Sequence, residues 1–174
     1  MRTIRIRHAA CALAIAAAWM APRAEAQPAN VQTAFSNDAG TLSDKFAGLA
    51  RVMAGKYDWK PGQGVRSVGD VFNLIVMENG MLAGVLSGSG GRGPRPAPVT
   101  DPEKMQEALR TSYAAIQKAV AGLSESDLQE HVKLFGRETT KQGAIFMVLS
   151  DQHEHLGQSI AYARSNGVTP PWSK

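Results

Sequence analysis

Apolar residues recur along most of the chain at three- and four-residue intervals, the spacing that gathers them on one face of an α-helix. The first such stretch runs from Val31 to Lys56 through Phe35, Leu42, Phe46, Leu49 and Met53, with Thr41 or Ser43 available as an internal start that would leave the residues before it loose. Ser67 is placed to cap a second helix from Val68 to about Leu86, whose inner side is Val71, Leu74, Ile75, Glu78, Leu82 and Val85. Thr100 or Asp101 caps a third, with Pro102 at its first position, running to about Ala121 through Met105, Leu109, Tyr113, Ile116 and Val120. The last stretch starts at Thr139 or Thr140 and is stopped by Asn166-Gly167 and Pro170-Pro171. Between the third and fourth, Ser124-Glu-Ser-Asp127 opens a short helical turn ending near His131, and Val132 to Arg137 reads as a brief extended piece. There is no convincing β-alternation and no internal repeat. Four amphipathic helices with short or polar joints make an all-α protein, a four-helix bundle.

Two positions break the apolar stripes. Glu78 lies one turn after Leu74 and shares its inward face. On the last helix the stripe Ala144, Met147 or Val148, Asp151, His155, Gln158, Tyr162 turns polar in its middle. An acid and an imidazole at i and i+4 on an inward stripe are positioned to give two ligands to one metal ion. His153 is excluded from that pair, because two residues from His155 is about 200° around a helix. The order Asp-Gln-His-Glu-His also lacks the His-Glu-x-x-His spacing of a zinc-protease helix. The competing account of Asp151 and His155 is a hydrogen-bonded pair tying the bundle together. For Glu78 it is a solvated or inter-helix-paired carboxylate. His131 and His153 are expected to be exposed, Trp59 and Trp172 to plug one end of the bundle, and Gly157 to permit close helix packing. Neither Ser150 nor Ser159 has a base placed beside it, so no nucleophilic triad is visible.

Composition changes the picture at the N-terminus. Arg2, Arg5 and Arg7, an apolar run from Ala9 to Met20, and Ala24-Glu25-Ala26 have the form of a secretory signal peptide over residues 1–26, with Gln27 as the mature start of a single domain, 27–174. The apolar run is too short and alanine-rich for a permanent membrane span. Cleavage removes four arginines and one glutamate from 19 basic and 15 acidic residues, which leaves 15 against 14. The basic character therefore belongs to the leader, and a nucleic-acid partner loses its electrostatic footprint. The sole cysteine, Cys11, leaves with it, so the exported domain has no thiol or disulfide chemistry. Ser87 to Pro98 is a Gly/Ser/Pro/Arg-rich joint that lacks the Gly-Lys-Ser/Thr ending of a nucleotide loop.

Three stretches carry a family resemblance. Lys56-Tyr-Asp-Trp-Lys-Pro, Val65-Arg-Ser-Val-Gly-Asp-Val-Phe72, and His153-Glu-His-Leu-Gly-Gln-Ser-Ile-Ala-Tyr-Ala-Arg-Ser-Asn-Gly-Val-Thr-Pro-Pro-Trp172 resemble the DinB-like (DinB/YfiT) superfamily, in its exported branch labelled damage-inducible protein. The resemblance implies a four-helix bundle of up-down-down-up connectivity. It also implies a divalent metal held by one histidine of the second helix and a His-x-x-x-His pair on the fourth, with metal-dependent thiol transfer in some members. His155 matches the last of these ligands, while Asp151 stands where the first histidine of the pair is expected and Leu74 where the second-helix histidine is expected. Any surviving site is then Glu78, Asp151 and His155, a set of two oxygens and one nitrogen that is less suited to zinc or nickel and more permissive of manganese, iron or no metal at all. The sequence supports three functions: an exported bundle with a degenerate metal pocket, a metal-dependent transferase or hydrolase acting on a small molecule, or an interaction protein that forms homodimers. The expected location is the periplasm or the extracellular space.

Overall fold

The structure, a computed structural model, describes residues 30–90 and 97–173, so the expected leader and the middle of the Ser87–Pro98 joint lie outside the described residues. The elements are α1 (Val31–Val52), α2 (Val68–Leu86), α3 (Pro102–Ala121), a single turn α4 (Glu125–Leu128), strands β1 (His131–Leu134) and β2 (Arg137–Thr140), and α5 (Lys141–Ser165).

Local chemistry sets most of the boundaries. Ser67 and Asp70 form a reciprocal capping box at the start of α2, and the Ser67 backbone and hydroxyl hydrogen bonds hold the Asp70 carboxyl below its ordinary range. Asp101 accepts from the Glu103 and Lys104 amides at the start of α3. The internal start expected at Thr41 or Ser43 is not used. Asn30 caps α1 by accepting from the Thr33 amide, and the Thr41 hydroxyl donates back to the Asn37 carbonyl within an unbroken helix.

Helices α1 and α2 each pack against α3 and α5 and so sit diagonally across the bundle. Side-chain bridges give the directions. Arg110 reaches Asp44 and Gln117 reaches Ser36, so α3 runs against α1. Asn73 reaches Val99 just ahead of α3, and Asn79 reaches Ser112 within it, so α2 and α3 run in parallel. Asn79 meets Gln152, and the Arg66 carbonyl meets Tyr162, so α5 runs against α2. The order is up-down-down-up, as the resemblance implies.

The centre is aromatic. Phe46 packs edge-on to Phe72 at 6.5 Å between ring centroids and stacks on Tyr113 at 6.3 Å. Tyr57 closes this cluster, donating its hydroxyl to the Ala50 carbonyl; burial, with the nearby Asp101 charge, pushes its phenol up to about 12. Trp59 packs edge-on to Tyr162 at 5.3 Å, as an end plug should. Trp172 does not plug the bundle. It lies 38% exposed, with the Lys45 ammonium 5.7 Å from its ring centre. Its tail is seated by Gly48, where a Cβ would come within 2.9 Å of Pro171 Cγ. Gly157, expected to serve such an approach, faces open space instead. By length and hydropathy α2 would also suit a bilayer, but half of that window is buried inside the bundle.

The extended piece proves to be an antiparallel hairpin with His131 paired to Thr140 and Leu134 to Arg137. Its two turn residues, Phe135 (φ 50°) and Gly136 (φ 81°), both have positive φ, as primed two-residue hairpin turns require. Four-residue strands are too short to show alternation in sequence. At the base of the hairpin Lys141 is bound twice to Glu130, through its amide to the carbonyl and through its ammonium to the carboxylate at 2.6 Å.

Candidate metal centre

The antiparallel packing of α2 on α5 brings Glu78 level with Asp151 and His155. One oxygen or nitrogen from each of the three lies within 4.8 Å of the other two. Glu78 is 5% exposed, and its Oε2 is buried without a hydrogen-bond partner among the described residues. Burial, followed by the charge of Asp151 and a hydrogen bond shared with it, pushes the Glu78 carboxyl up to about 8, against a smaller opposing pull from Arg66. Of the two alternatives considered for Glu78, the fold does not make the solvated carboxylate, and it pairs the group between helices with Asp151. Asp151 is more open, its side chain 39% exposed, with Oδ2 3.5 Å from His155 Nε2.

The imidazole is oriented from behind. Tyr162 donates its hydroxyl to the Arg66 carbonyl at 3.2 Å, and the Gln158 amide nitrogen donates to the Tyr162 oxygen at 2.8 Å. That fixes which end of Gln158 is the carbonyl, and the carbonyl lies 2.9 Å from His155 Nδ1. Nδ1 therefore carries the proton it donates. In the neutral ring Nε2 is left as a lone pair facing the carboxylates, the disposition that outer-sphere partners give to metal-binding histidines. A second network lies beside the first. Gln152, 1% exposed, is hydrogen-bonded through Nε2 to Asn79 Oδ1 at 2.5 Å, and Asn79 donates to Ser112 at 3.0 Å. This links α5, α2 and α3 through the immediate neighbours of Asp151 and Glu78.

A cleft of about 480 Å³ opens over Glu78 and Asp151, walled by Phe135, Arg137, Met147, Ser150 and Glu154. A larger groove of about 600 Å³ lies between α1, α3 and the C-terminal tail, lined by Lys45, Arg51, Arg110 and Trp172 among others, and contains none of the three candidate ligands.

The residues set aside on sequence grounds stay aside. His153 is 47% exposed and pairs with Asp38 at 2.8 Å. His131 is exposed, and the Ser159 hydroxyl is buried with no partner among the described residues. Leu74 lies a turn before Glu78 on α2, outside the three-residue cluster.

The sequence pattern of the DinB superfamily matches residues 15–159. The chain belongs to the DinB superfamily. The DinB match starts within the stretch read as a leader and ends past Asp151 and His155. Among solved structures, a DinB-like protein from Bacillus subtilis superposes with a TM-score of 0.65 at 17% identity, over 78% of this chain and 92% of that one. One from Bacillus cereus superposes with a TM-score of 0.68 at 18% identity, over 80% and 95%. At such identity the likeness is one of fold. Comparison with curated proteins gives no match.

Sequence reading missed the hairpin tip, Phe135 and Arg137, and the second-layer partners Gln158, Asn79 and Gln152. For Gln158 a signal was present, since it stands three residues after His155 and four before Tyr162. Gln152 and Asn79 carried no such signal. A polar residue in a helix reads as solvent-facing until the neighbouring helix is known.

Proposed function

We propose that this DinB superfamily protein binds a divalent cation through Glu78, Asp151 and His155, and that the ion serves a transfer or hydrolysis reaction on a small molecule in the adjoining cleft. The observation that carries this reading is the buried Glu78 carboxyl. Its Oε2 is buried and has no partner among the described residues, in a carboxyl grouped with an acid and an oriented imidazole. A structural role alone leaves that atom without a reason, because an unsatisfied buried oxygen destabilises the fold unless something binds it.

The donor set fits a divalent ion of the manganese or iron kind better than zinc, since two carboxylates and one imidazole neutralise the charge without the softer nitrogen-rich shell. Donors bonded to one ion at ~2.0–2.2 Å sit closer together than the 4.8 Å limit within which these three fall, a gap that small side-chain rotations close. When bound, such an ion supplies Lewis acidity and makes a coordinated water or thiol more acidic at neutral pH. The chain's own part is to hold Glu78 away from solvent, to set the His155 ring through Gln158 and Tyr162, and to leave Asp151 open to the cleft.

Metal analysis and calorimetry on the purified protein test this. One manganese or iron per chain is expected, bound more tightly than by Gln158→Ala, which should weaken binding about 10–100-fold by freeing the ring. No saturable binding of any divalent ion would end the proposal.

We also propose export, supported by the charged, apolar and Ala-x-Ala segments of residues 1–26. Mass spectrometry of protein from its source cell is expected to give Gln27 as the N-terminus; intact Met1 in the soluble cytoplasm would refute it.

A further inference from the structure

We propose that the tip of the β1–β2 hairpin is the substrate-recognition element of the cleft, and that it selects a small organic anion with an apolar or aromatic body. The inference deepens the metal reading above and rests on it for what happens at the ligand's reactive end, but the hairpin's part has its own observations.

The first is Phe135. It occupies a left-handed backbone position, φ 50°, that asparagine and glycine take far more readily than an aromatic residue. It is also 45% exposed and forms a wall of the cleft over Glu78 and Asp151. An exposed ring held in a disfavoured conformation gains nothing for the fold, whereas Met147, which lines the same cleft, adds a second apolar side chain to it.

The second is Arg137, the only cation among the described residues that line that cleft. Its neighbour Glu138 is engaged with Lys133 at 3.3 Å, and no described residue pairs with the Arg137 guanidinium. Once an ion takes up the Glu78 and Asp151 charges, Glu154 is the one acid left among the described residues lining the cleft with Arg137. A planar guanidinium next to an apolar wall suits a carboxylate or a similar oxyanion on an apolar stem. The Glu130–Lys141 clamp at the base of the hairpin keeps this tip in register with α5, which carries Asp151.

The test uses the full chain, with and without manganese(II), titrated with 3-phenylpropionate and with its uncharged amide, followed by calorimetry and ligand-observed NMR. Saturable binding of the acid is expected, weaker by about tenfold or more for the amide and for Arg137→Gln, the scale of one charge-assisted hydrogen bond. Phe135→Asn is the decisive variant. Asparagine suits the turn, so thermal stability should hold or rise while acid binding falls, and manganese affinity should stay at the wild-type value in both variants. If manganese fails to bind, the metal reading falls, and the preference for acid over amide and its dependence on Arg137 still judge the hairpin. Equal binding of acid and amide, wild-type binding by both variants, or no saturable binding of the acid would each overturn the proposal.

Discussion

Glu78→Gln is expected to abolish metal binding and, in the same protein, to stabilise the metal-free fold above pH 8. In the folded protein the Glu78 carboxyl is pushed up to about 8 from its ordinary 4.5 by burial and by Asp151. Between those two values the folded chain keeps a proton that the unfolded chain has released. Stability from this group is therefore full below the unfolded value and declines as pH rises toward the folded one, by up to about 1.4 kcal/mol for each pH unit between them. Glutamine keeps the shape, carries no charge to desolvate, and offers Asp151 an amide donor in place of the carboxylic proton. Wild type and variant should unfold at similar temperatures near pH 5. At pH 9 the variant is expected to be the more stable by a few kcal/mol, roughly 5–10 °C. Thermal unfolding in EDTA at the two pH values reads the first effect and manganese calorimetry the second. A variant less stable than wild type at pH 9 would show that the Glu78 charge is well solvated, and the argument from its buried oxygen would fail.

The second large effect is expected from restoring nitrogen donors. In the antiparallel α2–α5 pair, Leu74 precedes Glu78 by one turn and His155 follows Asp151 by one turn, so Leu74 comes level with His155. The double change Leu74→His with Asp151→His converts two oxygens and one nitrogen into three imidazoles with Glu78 beside them. Losing a single outer partner commonly costs about 10–100-fold in affinity, so two new direct ligands should raise zinc or nickel affinity by at least as much. Manganese binding should weaken at the same time, because the set becomes softer. Competition calorimetry with zinc and manganese on both proteins decides it. Equal zinc affinities, or tight stoichiometric zinc in the wild type, would mean that the ligands are misplaced.

The fold was legible because its strongest signals are local. Ser67 with Asp70, and Asp101 with Pro102, each mark a helix start within four residues, and the apolar spacing supplies the inner faces. Helix α1 starts at Val31, where its apolar spacing begins, because Asn30 caps it there; Thr41, which could also have marked a start, is a mid-helix hydroxyl bonded to Asn37. The hairpin stayed hidden because its strands, His-Val-Lys-Leu and Arg-Glu-Thr-Thr, are short and polar, and its turn is Phe-Gly in place of Asn-Gly. The grouping of Asp151 with His155 follows from helical spacing alone. Glu78 was marked by its place on the inward face of α2, one turn beyond the position where the resemblance implies a histidine; its height level with Asp151 belongs to the packing of α2 on α5, where Asn79 meets Gln152.

That same contact bears on how quickly an ion would be taken up. Asn79 and Gln152 lie 73 residues apart in sequence, and their link to Ser112 is made of protein groups alone, none of them a candidate ligand. The neighbours of Glu78 and Asp151 are thus fixed beforehand, and an arriving cation has only side-chain rotations left to organise. Uptake should run as a single fast step, governed by loss of water from the ion and of the proton on Glu78, with no slow phase from helices finding each other. An ion would also leave by reversing that step, so its residence would follow the strength of three bonds and not the opening of the bundle. An ion held in this way would exchange with the surroundings, and the one bound would be whichever suitable ion is most available there.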